Sequence, residues 1–405
     1  MIQFQKKDIN KYLNFLIIAY AFSFPISKAG VNLIELVVVL LWIYQGNWKV
    51  KYELLKSSKF IIVLYAFIFL MIFFIPFASN TIFAVKYILK YHHFLMILII
   101  YTVLEKRYIK YIFSAFILSM LISELISYGI YFNLFTYGHA THEMPTPFMD
   151  HIAYSVLLAF TSTILLTNFF SVKSWKYKFF DALFFVTVVT NLFINGGRTG
   201  QVVFAVLMFV LSFIYIRHKL KALFFATTIV FVTFLLAYNF SDNFVSRVHQ
   251  FKNGIEKIVK ENDYRGQGGM RAAMWIIGTN VFIDNPVTGA GIGNVMKEAN
   301  EYADKYELKT RDMNIFADYD NVFINIPAQL GIFGLLLFLL IFYFLLKLPF
   351  KTRQYSALNI MFTISFILFS MMHNTMHLMN SMVYFALFTG LFSGISRLES
   401  QKQIL

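Results

Sequence analysis

Residues 193–204 read FINGGRTGQVVF: three glycines and a single charge, Arg198, between the apolar runs 179–195 and 201–216. Each run approaches the length of about 20 residues that an α-helix needs to cross a bilayer. A guanidinium at the centre of such a helix costs roughly 2.5–3.5 kcal/mol on insertion scales. The stretch therefore reads as the outer turn between two membrane helices, with a cation whose placement needs a compensating partner.

The same pattern extends outward along the chain. Of its 405 residues 59% are hydrophobic and 14% charged, with 49 Phe, 24 Tyr and a mean hydropathy of +0.64. A soluble domain is nearer half apolar and a quarter charged, so the fold class is all-α and polytopic. Runs long enough to span occur near 12–28, 30–46, 60–78, 84–104, 111–133, 149–169, 179–195, 201–216, 222–239, 321–346, 356–372 and 378–396. They predict about twelve helices, the fourth interrupted by Lys86 and Lys90. The first run follows Lys6, Lys7 and Lys11, lacks a small-residue cleavage site and leads at once into a second, which predicts an uncleaved first helix.

The net charge of +14 does not imply nucleic acid, because its distribution is that of an orientation signal. With the N-terminus in the cytoplasm, the inner connections and tails hold 21 of the 35 Lys and Arg residues. Ten more lie in one outer loop, 240–320, alongside 12 acidic residues. Both termini are expected to be cytoplasmic, with the loop inserted into one membrane domain, 1–405. There is no cysteine, so the loop must fold by packing alone. Its pattern predicts a helix near 243–262, the break RGQGGMR, and a second helix over RAAMWIIGTNVFID, residues 271–284, stopped by Pro286. The turn GAGIGN and a third helix near 295–308 follow.

Ionisable residues at membrane depth are functional candidates, because they are expensive unless paired or hydrated. Arg198 reads as facing a membrane-embedded anion, with Gly196, Gly197 and Gly200 permitting close approach; the alternative is an arginine snorkelling to the interface. Lys86 and Lys90, one turn apart, suit lipid phosphate, whether structural or substrate. Glu35 and Glu124 read as interhelical, each paired or protonated. Histidines gather on the outer side: His139, His142, His151, His373 and His377. The HNTMH pair lacks the Glu of HExxH, so no metal is expected there, and GAGIG has no surrounding βαβ pattern, so no nucleotide cofactor is expected.

Three features together resemble the O-antigen ligase and polymerase family, whose members are polytopic, GT-C-like inner-membrane glycosyltransferases. One is the Arg and Gly of GGRTG at an outer helix end. Another is an outer loop carrying Arg271, Trp275, Pro286, Gly289, Gly291 and Gly293. The third is the ligase signature of His, then Asn, Ser or Gln, nine residues and GxxG. It is matched by DNVFINIPAQLGIFG through Asn321, Gly331 and Gly334, with Asp320 where the family has His.

The resemblance implies transfer of a glycan from undecaprenyl diphosphate. In a ligase the acceptor is a lipid A-core sugar, and in a polymerase it is a second lipid-linked glycan. It also implies that Arg198 and Arg271 bind the diphosphate, without cofactor or metal; Lys86 and Lys90, from their own placement, are candidate further cations for it. Asp320 takes the place of the family's basic His, or else it orients and His373, His377 or His151 accepts the proton. The ligase reading is preferred. A lipid-linked sugar transporter, the competing class, would show two related halves, which this chain lacks.

Overall fold

The computed structural model describes residues 6–78, 80–240, 242–293, 296, 299–316 and 318–400. Among them are seventeen α-helices and no strand, only two isolated β-bridges. In chain order they are α1 (Lys6–Ser23), α2 (Lys28–Gln45), α3 (Trp48–Lys56), α4 (Lys59–Phe74), α5 (Thr81–Leu89), α6 (Leu95–Val103) and α7 (Ile109–Tyr131). Next come α8 (His151–Ser171), α9 (Trp175–Ile194), α10 (Arg198–Tyr215), α11 (Lys219–Phe240), α12 (Asp242–Glu261), α13 (Gln267–Asp284) and α14 (Ala299–Lys305). The last three are α15 (Val322–Leu346), α16 (Arg353–Met372) and α17 (Met379–Ser400).

Eleven helical segments among the described residues are long and apolar enough to cross a membrane. The twelfth expected span, α1, falls short of that standard because Lys6, Lys7, Asp8 and Lys11 crowd its first turns. It packs on α2 and α7 nonetheless, with Leu13, Ile17 and Tyr20 buried. The fourth expected span needs correcting: it runs Thr81–Val103 and is not one helix. A 3₁₀ turn, Lys90–Phe94, separates α5 from α6 and carries the adjacent His92 and His93.

Helices α8 and α17 form the centre. Residues 153–165 of α8 and 380–396 of α17 are buried on every face, the pattern of a helix surrounded by others. Between them lies an aromatic core in which Phe160 meets Phe388 edge-on at 4.9 Å and Phe362 meets Tyr384 at 5.1 Å. Outer helices turn Phe69, Phe73, Phe224 and Phe231 to the exterior. An apolar exterior on a helical bundle marks an integral membrane protein.

The long loop between α11 and α15 has its own core, in which Met270, Met274, Ile277 and Val281 of α13 pack with Ala299, Ala303, Met313 and Tyr319. Helix α13 begins one turn earlier than expected, so part of the glycine-rich break lies inside it. Residues 294, 295, 297 and 298, in the expected GAGIGN turn and third helix, lie outside the described residues.

Helix α15 joins loop to bundle. It breaks at Gly331 (φ 61°, ψ −158°), one turn after Pro327, which has no N–H to give the helix. The break frees carbonyls at Ala328 and Gln329, and these accept hydrogen bonds from the N–H groups of Ala290 (2.7 Å) and Gly291 (3.2 Å). In return the Ile332 N–H donates to Pro286 O at 2.9 Å. The approach is so close that a Cβ at Gly331 would lie 2.1 Å from Val287 O, and one at Gly289 2.4 Å from the Gln329 carbonyl carbon. The glycines of the loop motif and of the GxxG motif are thus two sides of one contact.

Candidate active site

At one end of the bundle, the beginnings of four helices converge on a hollow of about 310 Å³. His151 and Ile152 open α8, and Arg198 and Thr199 open α10. Met270, Arg271 and Met274 come from the first two turns of α13, and Asp320 directly precedes Asn321, the N-cap of α15. Gly196, Arg311 and Phe316 complete the lining. Helix N-termini carry partial positive charge and unsatisfied N–H groups. Together with three guanidinium groups against one carboxylate, they make the hollow suited to an anion.

Each positioning element has a local cause. Asp150 caps α8 by accepting from the Ile152 and Ala153 N–H groups at 3.1 and 2.9 Å. The turn before Arg198 reverses through Gly196, at φ 72°. Gly197 and Gly200 then let α10 lie directly on α8: Cβ atoms there would fall 2.3 Å from Ser155 atoms, and the Gly200 N–H donates to Ser155 Oγ at 3.1 Å. These two glycines serve helix contact, and Gly196 alone of the three lines the hollow. Asn321 caps α15 by accepting from the Phe323 N–H at 2.9 Å.

Asp320 sits at φ 53°, in the left-handed region, with its N–H held at 3.0 Å by Asp318 Oδ1. This Asx turn aims the carboxylate at two donors. Arg271 Nε donates to Oδ2 at 3.2 Å and His373 Nδ1 to Oδ1 at 3.0 Å. Their side chains are 27%, 31% and 17% exposed for Arg271, Asp320 and His373, so water screens the group only partly. Burial works to raise the Asp320 pKa, but His373 and then Arg271 outweigh it and hold the carboxyl below its usual range.

A second polar group lies alongside. Asp318 Oδ2 accepts from Asn374 Nδ2 at 2.8 Å and from His377 Nδ1 at 3.4 Å, and the His377 ring packs on Tyr87 at 4.5 Å. His377 therefore answers to Asp318 and His373 to Asp320. Lys90 Nζ reaches His377 O at 3.4 Å, on the side of this second group. Neither Lys90 nor the exposed Lys86 is among the residues lining the hollow, in contrast to the grouping expected from sequence. His142 stacks on Tyr131, and neither it nor His139 lines the hollow.

The hollow thus brings together Arg198, Arg271, Asp320 and His151, with His373 one hydrogen bond away. Sequence reasoning missed Arg311 and Asp318. Both sit in the least patterned part of the loop, where neither periodicity nor a motif marks them. Residues 183–339 match the family model Wzy_C, described as O-Antigen ligase. The match supports glycosyltransferase activity of that general type. No curated protein matches the chain.

Proposed function

We propose, from the match of residues 183–339 to the O-Antigen ligase family model and from the site described above, that the protein transfers a glycan from undecaprenyl diphosphate to a hydroxyl of a lipid A-core sugar. The reaction takes place on the periplasmic face of the bacterial inner membrane. What supports this reading above all is that Arg198 and Arg271, far apart in sequence, line one hollow with Arg311 and Asp320. The diphosphate of the donor seats against Arg198, Arg271 and Arg311, with the N-terminal end of α10 adding partial charge. As the bond from the anomeric carbon to phosphate breaks, negative charge grows on the leaving diphosphate. Fixed guanidinium groups stabilise that charge more than they stabilise the bound donor.

The acceptor oxygen attacks the anomeric carbon from the opposite face and inverts it, and its proton passes to a base. Asp320, held by the Arg271 guanidinium and by the His373 ring N–H, is a poor base. With His373 Nδ1 bound to Asp320, Nε2 is the nitrogen left to take the proton, so Asp320 orients and His373 accepts. The polymerase reading has one observation in its favour, the Asp at the signature His position.

Reconstitution with a lipid-linked glycan donor and two separate acceptors, lipid A core and a second donor molecule, tests the assignment. Product on lipid A core is expected. Product only on the second donor would make the protein a polymerase, and product on neither would overturn glycan transfer to both.

A further inference from the structure

Away from the hollow, Glu35 of α2, the adjacent His92 and His93, and Tyr20 of α1 form a compact group with the donor set of a transition-metal site. One ligand atom each from Glu35, His92 and His93 lie within 4.8 Å of one another. Glu35 and His93 are buried, at 4% exposure each, whereas the His92 side chain is 55% exposed on the bundle surface. The turn Lys90–Phe94 is what makes the group possible, because it interrupts the regular helix between α5 and α6 and delivers two consecutive imidazoles to one carboxylate.

The hydrogen bonds around the group are those that prepare ligands. His92 Nδ1 donates to Leu89 O at 2.9 Å, which leaves the lone pair of Nε2 facing Glu35 Oε2 at 3.6 Å. Two electron-pair donors facing each other at that distance leave room for a shared cation between them. Tyr20 O–H donates to Glu35 Oε1 at 2.7 Å and fixes the carboxylate, leaving Oε2 towards both imidazoles. Such outer contacts, to a backbone carbonyl and a hydroxyl, orient ligands in metal sites. Tetrahedral zinc, with bonds of about 2.0–2.2 Å, holds its ligand atoms roughly 3.3 Å apart. The His93 Nδ1 to Glu35 Oε2 distance of 2.7 Å and the His92 Nε2 distance of 3.6 Å bracket that value.

We propose that Glu35, His92 and His93 bind one divalent zinc ion, or a metal of similar softness, which clips α2 to the break between α5 and α6. His93, whose Nδ1 donates a proton to Glu35 without the metal, binds through Nδ1 as the neutral Nε2–H tautomer, and water takes the fourth position. The site is separate from the hollow and stands whether or not the transfer reaction is as proposed.

The test uses the full chain in detergent, free of any histidine tag and stripped by a chelator, and titrated with zinc against a chromophoric competitor. Binding of one zinc per chain, with a rise in thermal midpoint, is expected. Glu35→Gln and His92→Ala should each abolish both effects. Because the His92 side chain is exposed, His92→Ala keeps the fold if the glutamate variant does not. Cobalt substitution should give visible bands of tetrahedral intensity. No zinc bound by the native chain, or equal binding by His92→Ala, would overturn the proposal, as would an octahedral cobalt spectrum.

Discussion

Arg198 and Arg271 answer the difficulty that the sequence raises, since a membrane-level guanidinium is tolerable where it faces a cavity and a counter-charge. Replacing either with Ala should lower glycan transfer by about 10²–10³-fold, the usual effect of removing one donor to developing charge, with membrane insertion unchanged. A variant that retains the native rate in the reconstituted assay would remove the diphosphate role. Arg198→Lys should recover only part of the loss, because an ammonium lacks the planar fork.

At Asp320 the sign of the pH effect follows from its depressed pKa. The carboxylate stabilises the fold fully above its unfolded value near ~3.9 and loses that contribution as pH falls through the lower folded value. The stabilisation that native protein shows over Asp320→Asn should therefore shrink as pH falls below the ordinary carboxylate range, read as a closing gap in thermal midpoint. In activity, His373→Gln should cost about 10²–10⁴-fold, the range for a lost general base. Equal activity of native and His373→Gln protein would return the proton to Asp320 or His151.

At the scale of elements, the joints matter as much as the cations. Gly331 and Gly200 approach backbone rather than flexible side chains: a Cβ at 331 meets Val287 O at 2.1 Å and one at 200 meets Ser155 O at 2.3 Å. Gly331→Ala also forces a side chain into a region of positive φ and extended ψ that is essentially confined to glycine, costing roughly 1–3 kcal/mol. Both substitutions should lower the thermal midpoint and reduce transfer although every arginine is intact. Normal melting and activity in Gly331→Ala would show that the loop does not depend on this joint.

These joints also mark where legibility in the sequence ended. Helices α8, α10, α13 and α15 could be read, because apolar runs, Asp150, Pro286 and the glycine clusters punctuate them. The pairing of Ala290 and Gly291 with the broken turn of α15 could not, since it joins segments about 40 residues apart through main-chain atoms that carry no side-chain signature. The same holds for His373 on Asp320, a contact made by the meeting of two helix ends.

For the whole molecule, the membrane-helix residues that line the hollow, His151 and Ile152 of α8 and Arg198 and Thr199 of α10, lie at the ends expected to be outward under the alternation set by the basic residues. The chain contains no cysteine, so single cysteines can be placed in it without first removing native ones. In intact spheroplasts, Lys257→Cys in α12 should react with an impermeant maleimide, and Lys176→Cys at the start of α9 should react only after permeabilisation. The reverse pattern would invert the topology and put the hollow on the cytoplasmic side.

The union of α15 with residues 286–293 has a consequence for traffic. A roof sewn to its wall by peptide groups cannot swing upward without breaking those hydrogen bonds. On the reaction proposed above, a long-tailed donor then arrives by sliding in through the flank, between helices, its tail never leaving the oil.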